Sequence, residues 1–305
     1  MKVFADLAET ESFTKAARLN GVTQSAVSQQ INSLERHFGA PLIERSRKRF
    51  RLTREGEVLY EFSKQIAQQY DVLCGKIAEA KNLVSGSIRV STIYSIGLHE
   101  LPPFIRDFLK SHPTVNVQVE YRRVNQVYED VLGNTVDLGL IAYPEPDPRL
   151  TILPWRQDPM VLVCHPRHPL AAKPMVSVNE LQGRKFIAFE PDIPTRRAID
   201  KCLAGYNVEV DRVMELDNIE TVKRAVEIDA GISIIPRSTI LQELEKKTLA
   251  EVKLDNGQLF RPLAVIHRTK KVLTPAMKEF IALLRGEPAK RAKKPKVAAP
   301  APTPA

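Results

Sequence analysis

RSRKRFRLTR, residues 45–54, puts six positive charges into ten positions with no acidic residue among them. What stands on either side of this run decides how the chain is read. Upstream, Phe13 to Asn20 and Thr23 to Phe38 both carry helical spacing. Ser12 suits the N-cap of the first helix, where a hydroxyl accepts an orphan backbone N–H. Asn20-Gly21 stops it, since glycine accepts the left-handed conformation a helix end demands. Val22 plugs the turn, Thr23 caps the next helix, and Gly39-Ala40-Pro41 ends that one. Val3, Phe4, Leu7 and Ala8 mark a short amphipathic helix ahead of both. Ala16, Ala17 and Leu19 face inward from one helix of the pair. Val27, Ile31, Leu34 and Phe38 share a face of the other and are expected to be buried.

The opposite face of that helix, after Thr23, holds Gln24, Ser25, Ser28, Gln29, Asn32 and Arg36. Amides bond adenine edges bidentately, and serine reads a base or a phosphate oxygen. Two helices joined by a tight Gly-containing turn, the second polar outside, give a helix–turn–helix layout over residues 12–38. Downstream, Leu42–Arg45 and Phe50–Thr53 are strand-like pieces around Ser46-Arg47-Lys48-Arg49, a two-stranded wing over residues 42–53 with a cationic tip suited to phosphates. Arg45, Arg47, Lys48, Arg49, Arg51 and Thr53 join the helix residues as candidate DNA contacts. An αα-hairpin used only for packing is the plain alternative, and a solvated charged face the plain alternative for the basic run.

The stretch Ser12 to Gly56 resembles the winged helix–turn–helix of LysR-type transcriptional regulators. The likeness rests on Ser12-Phe13-Thr14, Ala16-Ala17, Thr23-Gln24-Ser25-Ala26-Val27-Ser28, Ile31, Leu34-Glu35, Gly39, Leu42, Arg45, Leu52-Thr53 and Gly56. Members usually carry a few more residues before the first helix, so Met1 reads as a late start. The resemblance implies a mainly α DNA-binding domain over residues 1–56, binding of double-stranded DNA as a homodimer or dimer of dimers, and contact with RNA polymerase.

At 305 residues the chain has room for about two domains, and 43% hydrophobic with 27% charged residues is ordinary for a globular protein. The formal net charge of +9 is unevenly spread. Ten Lys/Arg stand against six Asp/Glu in residues 1–56, five against one in residues 286–305, and 30 against 29 between. Basic character thus sits at the two ends, which points to nucleic acid for the first. Apolar runs are only four or five residues long, so no membrane partner is expected. The N-terminus lacks the pattern of a signal peptide. Cys74, Cys164 and Cys202 fit reduced thiols, hence a cytoplasmic location, nucleoid-associated for a DNA-binding protein.

Leu59, Phe62, Ile66, Tyr70, Leu73, Ile77, Ala80 and Val84 step by three or four along residues 57–85. A stripe on so long a helix calls for a second copy, parallel or antiparallel. A core helix of the next domain is the alternative, and the resemblance supports pairing, because this is the family's dimerisation linker. Ser85-Gly86 then marks a boundary.

Residues 87–285 alternate. Ser87–Thr92, Val115–Tyr121, Val136–Ala142, Met160–Cys164, Lys185–Phe189, Ile232–Ile235 and Pro262–His267 read as strands. Leu98–Lys110, Gln126–Leu132, Thr195–Leu203, Ile219–Ile228 and Pro275–Leu284 read as helices. This predicts α/β layers around a mostly parallel sheet. The order resembles two-lobed periplasmic binding proteins, as in the family's effector domain. One lobe takes residues 87–158 and 262–285, the other 159–261, with crossings near Asp158 and Arg261.

Ligands in such folds sit where strands hand over to helices. Three places qualify: Thr92-Ile93-Tyr94-Ser95; Pro194-Thr195-Arg196; and Asn218, where Asp217 and Glu220 form something near a capping box. Tyr143 after its strand closes the cleft from the side. Plain capping and loop turning are the alternative for each. Arg196 with the free helix N–H groups favours a small anionic effector. The runs IYSIGLHELPPFIRDFL (93–109) and FEPDIPTRRAID (189–200) look most like the family's sulfur-assimilation and carbon-fixation branch.

Prolines break up His165-Pro-Arg-His168, no metal or other cofactor is expected, and no phosphate loop or nucleophile elbow occurs. A solute-binding protein would need an export signal, and an enzyme a convergent acid/base or cofactor constellation. The Pro/Ala/Lys-rich tail, 286–305, is expected to be disordered, serving either non-specific DNA attraction or solubility.

Overall fold

The computed structural model describes residues 1–44, 50–80, 84–255 and 259–287, which divide into two units, Met1–Leu83 and Val84–Ala305. The first unit is built from helices α1 (Lys2–Thr10), α2 (Phe13–Asn20), α3 (Gln24–Phe38) and α4 (Arg54–Ala80). The caps form as the residue types require. Ser12 accepts from Lys15 N, Thr23 from Ala26 N, and Gly21 and Gly39 adopt the left-handed conformation at the helix ends. Phe4, Leu7, Ala17, Val27, Ile31 and Leu59 close one small core, each large side chain contributing about 1.5–3 kcal/mol by leaving water.

Three expectations of burial here are corrected. Leu19, Val22 and Phe38 are exposed. Ala16 and Ala17, with Phe13 partly buried beside them, make the α2 side of the core, and Leu19 lies off that face. Phe38 instead lies in an apolar groove with Met1, Leu42, Val58 and Phe62. The base of the wing is an antiparallel bridge, Ile43 with Leu52, backed by Glu44 N donating to Arg51 O at 2.9 Å. The expected contacts Arg45, Arg47, Lys48 and Arg49 lie outside the described residues. Along α4, Leu59 joins the core while Phe62, Ile66, Tyr70, Leu73 and Ile77 are all exposed on the predicted stripe.

The second unit runs β1 (Gly86–Ile93), a π-helical turn (Ile96–Glu100), α5 (Leu101–Ser111), β2 (Val115–Arg122), α6 (Val124–Leu132), β3 (Leu138–Ala142), β4 (Leu150–Cys164), β5 (Met175–Val176), β6 (Lys185–Phe189) and α7 (Pro194–Gly205). It continues with β7 (Asp211–Leu216), α8 (Ile219–Glu227), β8 (Ser233–Pro236), α9 (Leu241–Lys246), β9 (Ala250–Leu254), β10 (Phe260–Arg268) and α10 (Pro275–Leu284). The helix expected over 98–110 is thus a π turn followed by α5. Pro102 sits in the first turn of α5, where a missing N–H costs nothing.

The main sheet is mixed rather than mostly parallel. Its order is β2-β1-β3-β10-β4-β9-β5, with β8 also on β4, and β6-β7 form a separate parallel pair. β1 pairs parallel with β2 and β3, whereas β10 is antiparallel to β3 and β4, and β4 antiparallel to β8 and β9. The reason lies in β4. Its 15 residues leave one hydrophobic core at Leu150 and enter another at Met160–Cys164. β10 returns beside it, and Asp158 and Arg261 face each other in register. Two cores joined by two antiparallel strands make a two-lobed body with a cleft between.

Candidate functional site

In the first unit, Gln24, Ser25, Gln29, Asn32 and Arg36 are exposed along α3 and Ser28 is half-buried. Glu35, the only carboxylate of α3, turns away to accept Leu42 N at 2.9 Å. Two predicted contacts have structural duties. The Thr23 hydroxyl caps α3 and bonds Ser25 Oγ at 2.9 Å. The Thr53 hydroxyl donates to Pro41 O at 2.7 Å and accepts Gly56 N at 3.0 Å, so it starts α4 instead of presenting a free hydroxyl. Arg51 is exposed at the wing base.

In the second unit, a cavity of about 350 Å3 lies between the lobes. Tyr94, Ser95, Pro194, Thr195 and Asn218 all line it, together with Tyr121, Arg122, Arg123 and Arg261, which the sequence reading missed. Arg122 ends β2 and Arg123 directly follows it, so the strand-to-helix rule applied to β2 would have found them. The N-terminal turns of α6, α7 and α8 contribute Val124, Thr195 and Ile219 to the wall, and each such terminus carries partial positive charge. Thr195 is 6% exposed, and its hydroxyl has no partner among the described residues.

Three of the expected cleft residues are elsewhere. Thr92 is fully buried and its hydroxyl donates to Leu140 O at 3.3 Å, because alternation along β1 turns it into the lobe core. The Tyr143 ring packs on the same core with a buried hydroxyl that has no partner among the described residues, and burial pushes its pKa up to about 12. Arg196 is buried beneath α7, donating to Phe189 O at 2.5 Å, Asp200 at 2.7 Å and Glu215 at 2.8 Å. Contrary to expectation, the cleft therefore takes no positive charge from Arg196. Asn218, not Asp217, caps α8, accepting from Glu220 N and Thr221 N. Glu220 reaches across to His99 at 2.7 Å.

The guanidiniums at the cleft are largely engaged. Arg122 meets Glu120 at 2.5 Å and Asp130 at 3.4 Å. Arg123 crosses the mouth to Glu190 at 3.0 Å, Asp192 at 3.5 Å and Asp217 at 3.7 Å. Arg261, 2% exposed, bonds Asp158 at 2.7 Å and Ser95 Oγ at 2.8 Å, leaving its Nε buried without a partner among the described residues.

Other candidates have plain roles. The rings of His165 and His168 accept backbone N–H groups of Arg167 and Leu170, and no metal-holding cluster occurs among the described residues. Burial pushes the Cys164 thiol up to about 11 and raises Cys202 as well, the opposite of what a reactive thiolate requires. No described helix is long and apolar enough to cross a membrane.

A helix–turn–helix unit followed by a two-lobed α/β unit with an interlobe cavity defines the class of ligand-responsive regulators. Residues 1–57 match the family description "Bacterial regulatory helix-turn-helix protein, lysR family", and residues 81–289 match "LysR substrate binding domain". The chain belongs to the LysR family of transcriptional regulators. It is similar to the HTH-type transcriptional regulator CysL of Bacillus subtilis, 29% identical over 285 residues covering 93% of this chain and 95% of that one. A probable RuBisCO transcriptional regulator of Synechocystis is 29% identical over 287 residues, 92% of this chain and 83% of that one. These relatives support the sulfur and carbon-fixation branch that residues 93–109 and 189–200 suggest. Among solved structures, the Synechocystis CcmR regulatory domain in complex with 2-PG aligns at TM-score 0.61 and 24% identity, over 68% of this chain and 99% of that one. Full-length CbnR complexed with its target DNA aligns at 0.66 and 21%, over 93% and 97%.

Proposed function

We propose that the chain binds interrupted inverted repeats in double-stranded DNA as a dimer or dimer of dimers, and that a small anion in the interlobe cleft shifts how the DNA-binding units are placed. The observation that carries this reading is the surface of α3: amides, hydroxyls and Arg36 face outward, and its one carboxylate is withdrawn onto Leu42 N. Gln24, Ser25, Ser28 and Gln29 read bases in the major groove, while Asn32, Arg36 and the basic wing hold phosphates. The exposed apolar stripe of α4 supports pairing with a second copy. That CbnR was solved with its target DNA, and CcmR with 2-PG, agrees with both parts.

For the effector, positive character comes from three helix N-termini at the cleft, and Ser95, Thr195 and Asn218 orient the ligand. A gel shift with inverted-repeat duplexes across salt concentration tests the DNA reading. Sequence-selective binding should weaken steeply with salt, with a log–log slope near −0.9 per phosphate contact. A monomeric protein indifferent to every fragment at low ionic strength overturns it.

A further inference from the structure

We infer that the anion taken by the cleft carries a flat ring, with Tyr94 and Tyr121 as the residues that select it; this rests on the reading of the cleft as the effector site. The two tyrosines stand side by side in the cavity wall, ring centroids 5.7 Å apart and planes 33° from parallel. They are 44% and 37% exposed, large values for rings inside a cleft. Neither hydroxyl has a hydrogen-bond partner among the described residues. Ile93, Val124, Phe189, Ile193 and Ile219 continue the apolar surface around them.

Size points the same way. About 350 Å3 lies in the range of small-molecule pockets, so a bare oxyanion would leave most of the cavity wet and the tyrosine faces in water. A volume of that size matches an organic ligand. Charge limits the other end. Arg122, Arg123 and Arg261 are each held by carboxylates, and the Ser95 and Asn218 side chains by Arg261 and the cap of α8. Among the described residues, beyond the buried Arg261 Nε and the tyrosine hydroxyls, the polar group left for an anion is the Thr195 hydroxyl at the start of α7. One acidic group fits there, with the ring directed at the tyrosines.

Gly97 fixes the geometry. A Cβ on it would come within 2.6 Å of the Tyr121 ring and 2.7 Å of Thr92 Cγ2. The π-helical turn thus brings its backbone against the ring edge, and only glycine lets Tyr121 lie there. Gly97 is a positioning residue for the ring wall and does not itself face the ligand.

The test is calorimetric titration of the full chain with matched probes: phenyl phosphate against glycerol 3-phosphate and inorganic phosphate, and benzoate against acetate. The two pairs separate a phosphate head from a carboxylate head. The expected result is that the ring-bearing member of at least one pair binds about tenfold or more tightly, the scale of one stacked face plus its buried area. In Tyr94→Ser, Tyr121→Ser and Gly97→Ala that ratio should collapse toward one, whereas Thr195→Val should weaken ring-bearing and acyclic probes alike. Thermal melting without ligand checks that each variant is folded. Equal binding of ring-bearing and acyclic anions overturns the ring and leaves the anion cleft standing. Binding of none of the probes overturns the anion cleft and the ring with it.

Discussion

Thr195 and Arg196 are neighbours in sequence and serve opposite ends. Thr195 opens to the cleft with a free hydroxyl, whereas Arg196 turns under α7 to tie Phe189 O, Asp200 and Glu215 together. Thr195→Val should therefore weaken the effector response and leave the melting temperature within a degree or two. Arg196→Met should do the reverse, leaving a buried carbonyl and two half-exposed carboxylates short of a donor. That costs about 1–3 kcal/mol, or several degrees of melting temperature. Circular dichroism melts of the two variants, read beside an effector titration, separate the roles, and an Arg196→Met protein as stable as the parent would contradict them. At this scale the sequence showed residue types and the strand end they follow. It did not show which way a side chain points, although Asp200, one helical turn on from Arg196, was a visible competitor for it.

At the scale of elements, helices were legible because their signals are local. The Ser12 and Thr23 caps, the Gly21 and Gly39 stops and the α4 stripe all stand where periodicity placed them. Strands with distant partners were harder. Residues 150–159 of β4 hold Pro154, Asp158 and Pro159, residue types that argue against a strand, and their pairing with β10 keeps them extended. Two predictions belong here. Gly56 starts α4 against the wing, where a Cβ would sit 2.1 Å from Leu42 O. That atom is backbone and cannot swing aside, so Gly56→Ala should destabilise the DNA-binding unit by about 1–3 kcal/mol and weaken DNA binding, measured by melting and gel shift. Along α4, Ile66→Glu with Leu73→Glu places charge on the exposed stripe. Sedimentation should then report monomer, with DNA half-sites bound independently; an unchanged oligomer would place the pairing surface elsewhere.

For the molecule as a whole, the proposed effector response would depend on how firmly the two lobes hold each other. The crossing strands are pinned by Arg261 and Asp158, and Ser238 of the second lobe adds a bond to Asp158 at 3.0 Å. Around the cleft the ties are the surface ion pairs of Arg123 with its three carboxylates and of Arg197 with Glu145 at 3.1 Å, and the hydrogen bond between His99 and Glu220 at 2.7 Å. A buried pin with half-exposed ties is what the proposed response requires of a hinge, since each exposed tie contributes only about 0–1 kcal/mol. Glu220 is the informative one. Burial alone would raise its carboxyl, yet bonds from His99 and Lys223 hold it below the usual carboxylate range. Lys223 is itself buried against Glu243 and Thr239 O, so the tie runs from the first lobe into the body of the second. A carboxylate with a lowered folded pKa stabilises above its ordinary value of about 4.3 and loses that contribution as pH falls through the lowered one. Glu220→Gln should accordingly be less stable than the parent at pH 6–7, by a few tenths to about 1 kcal/mol, and the gap should close as pH drops below about 4.3. Urea midpoints of both proteins across that range measure it. A gap that persists unchanged into acid would mean that Glu220 acts by packing rather than charge, and that the lobes are held by something other than this pair.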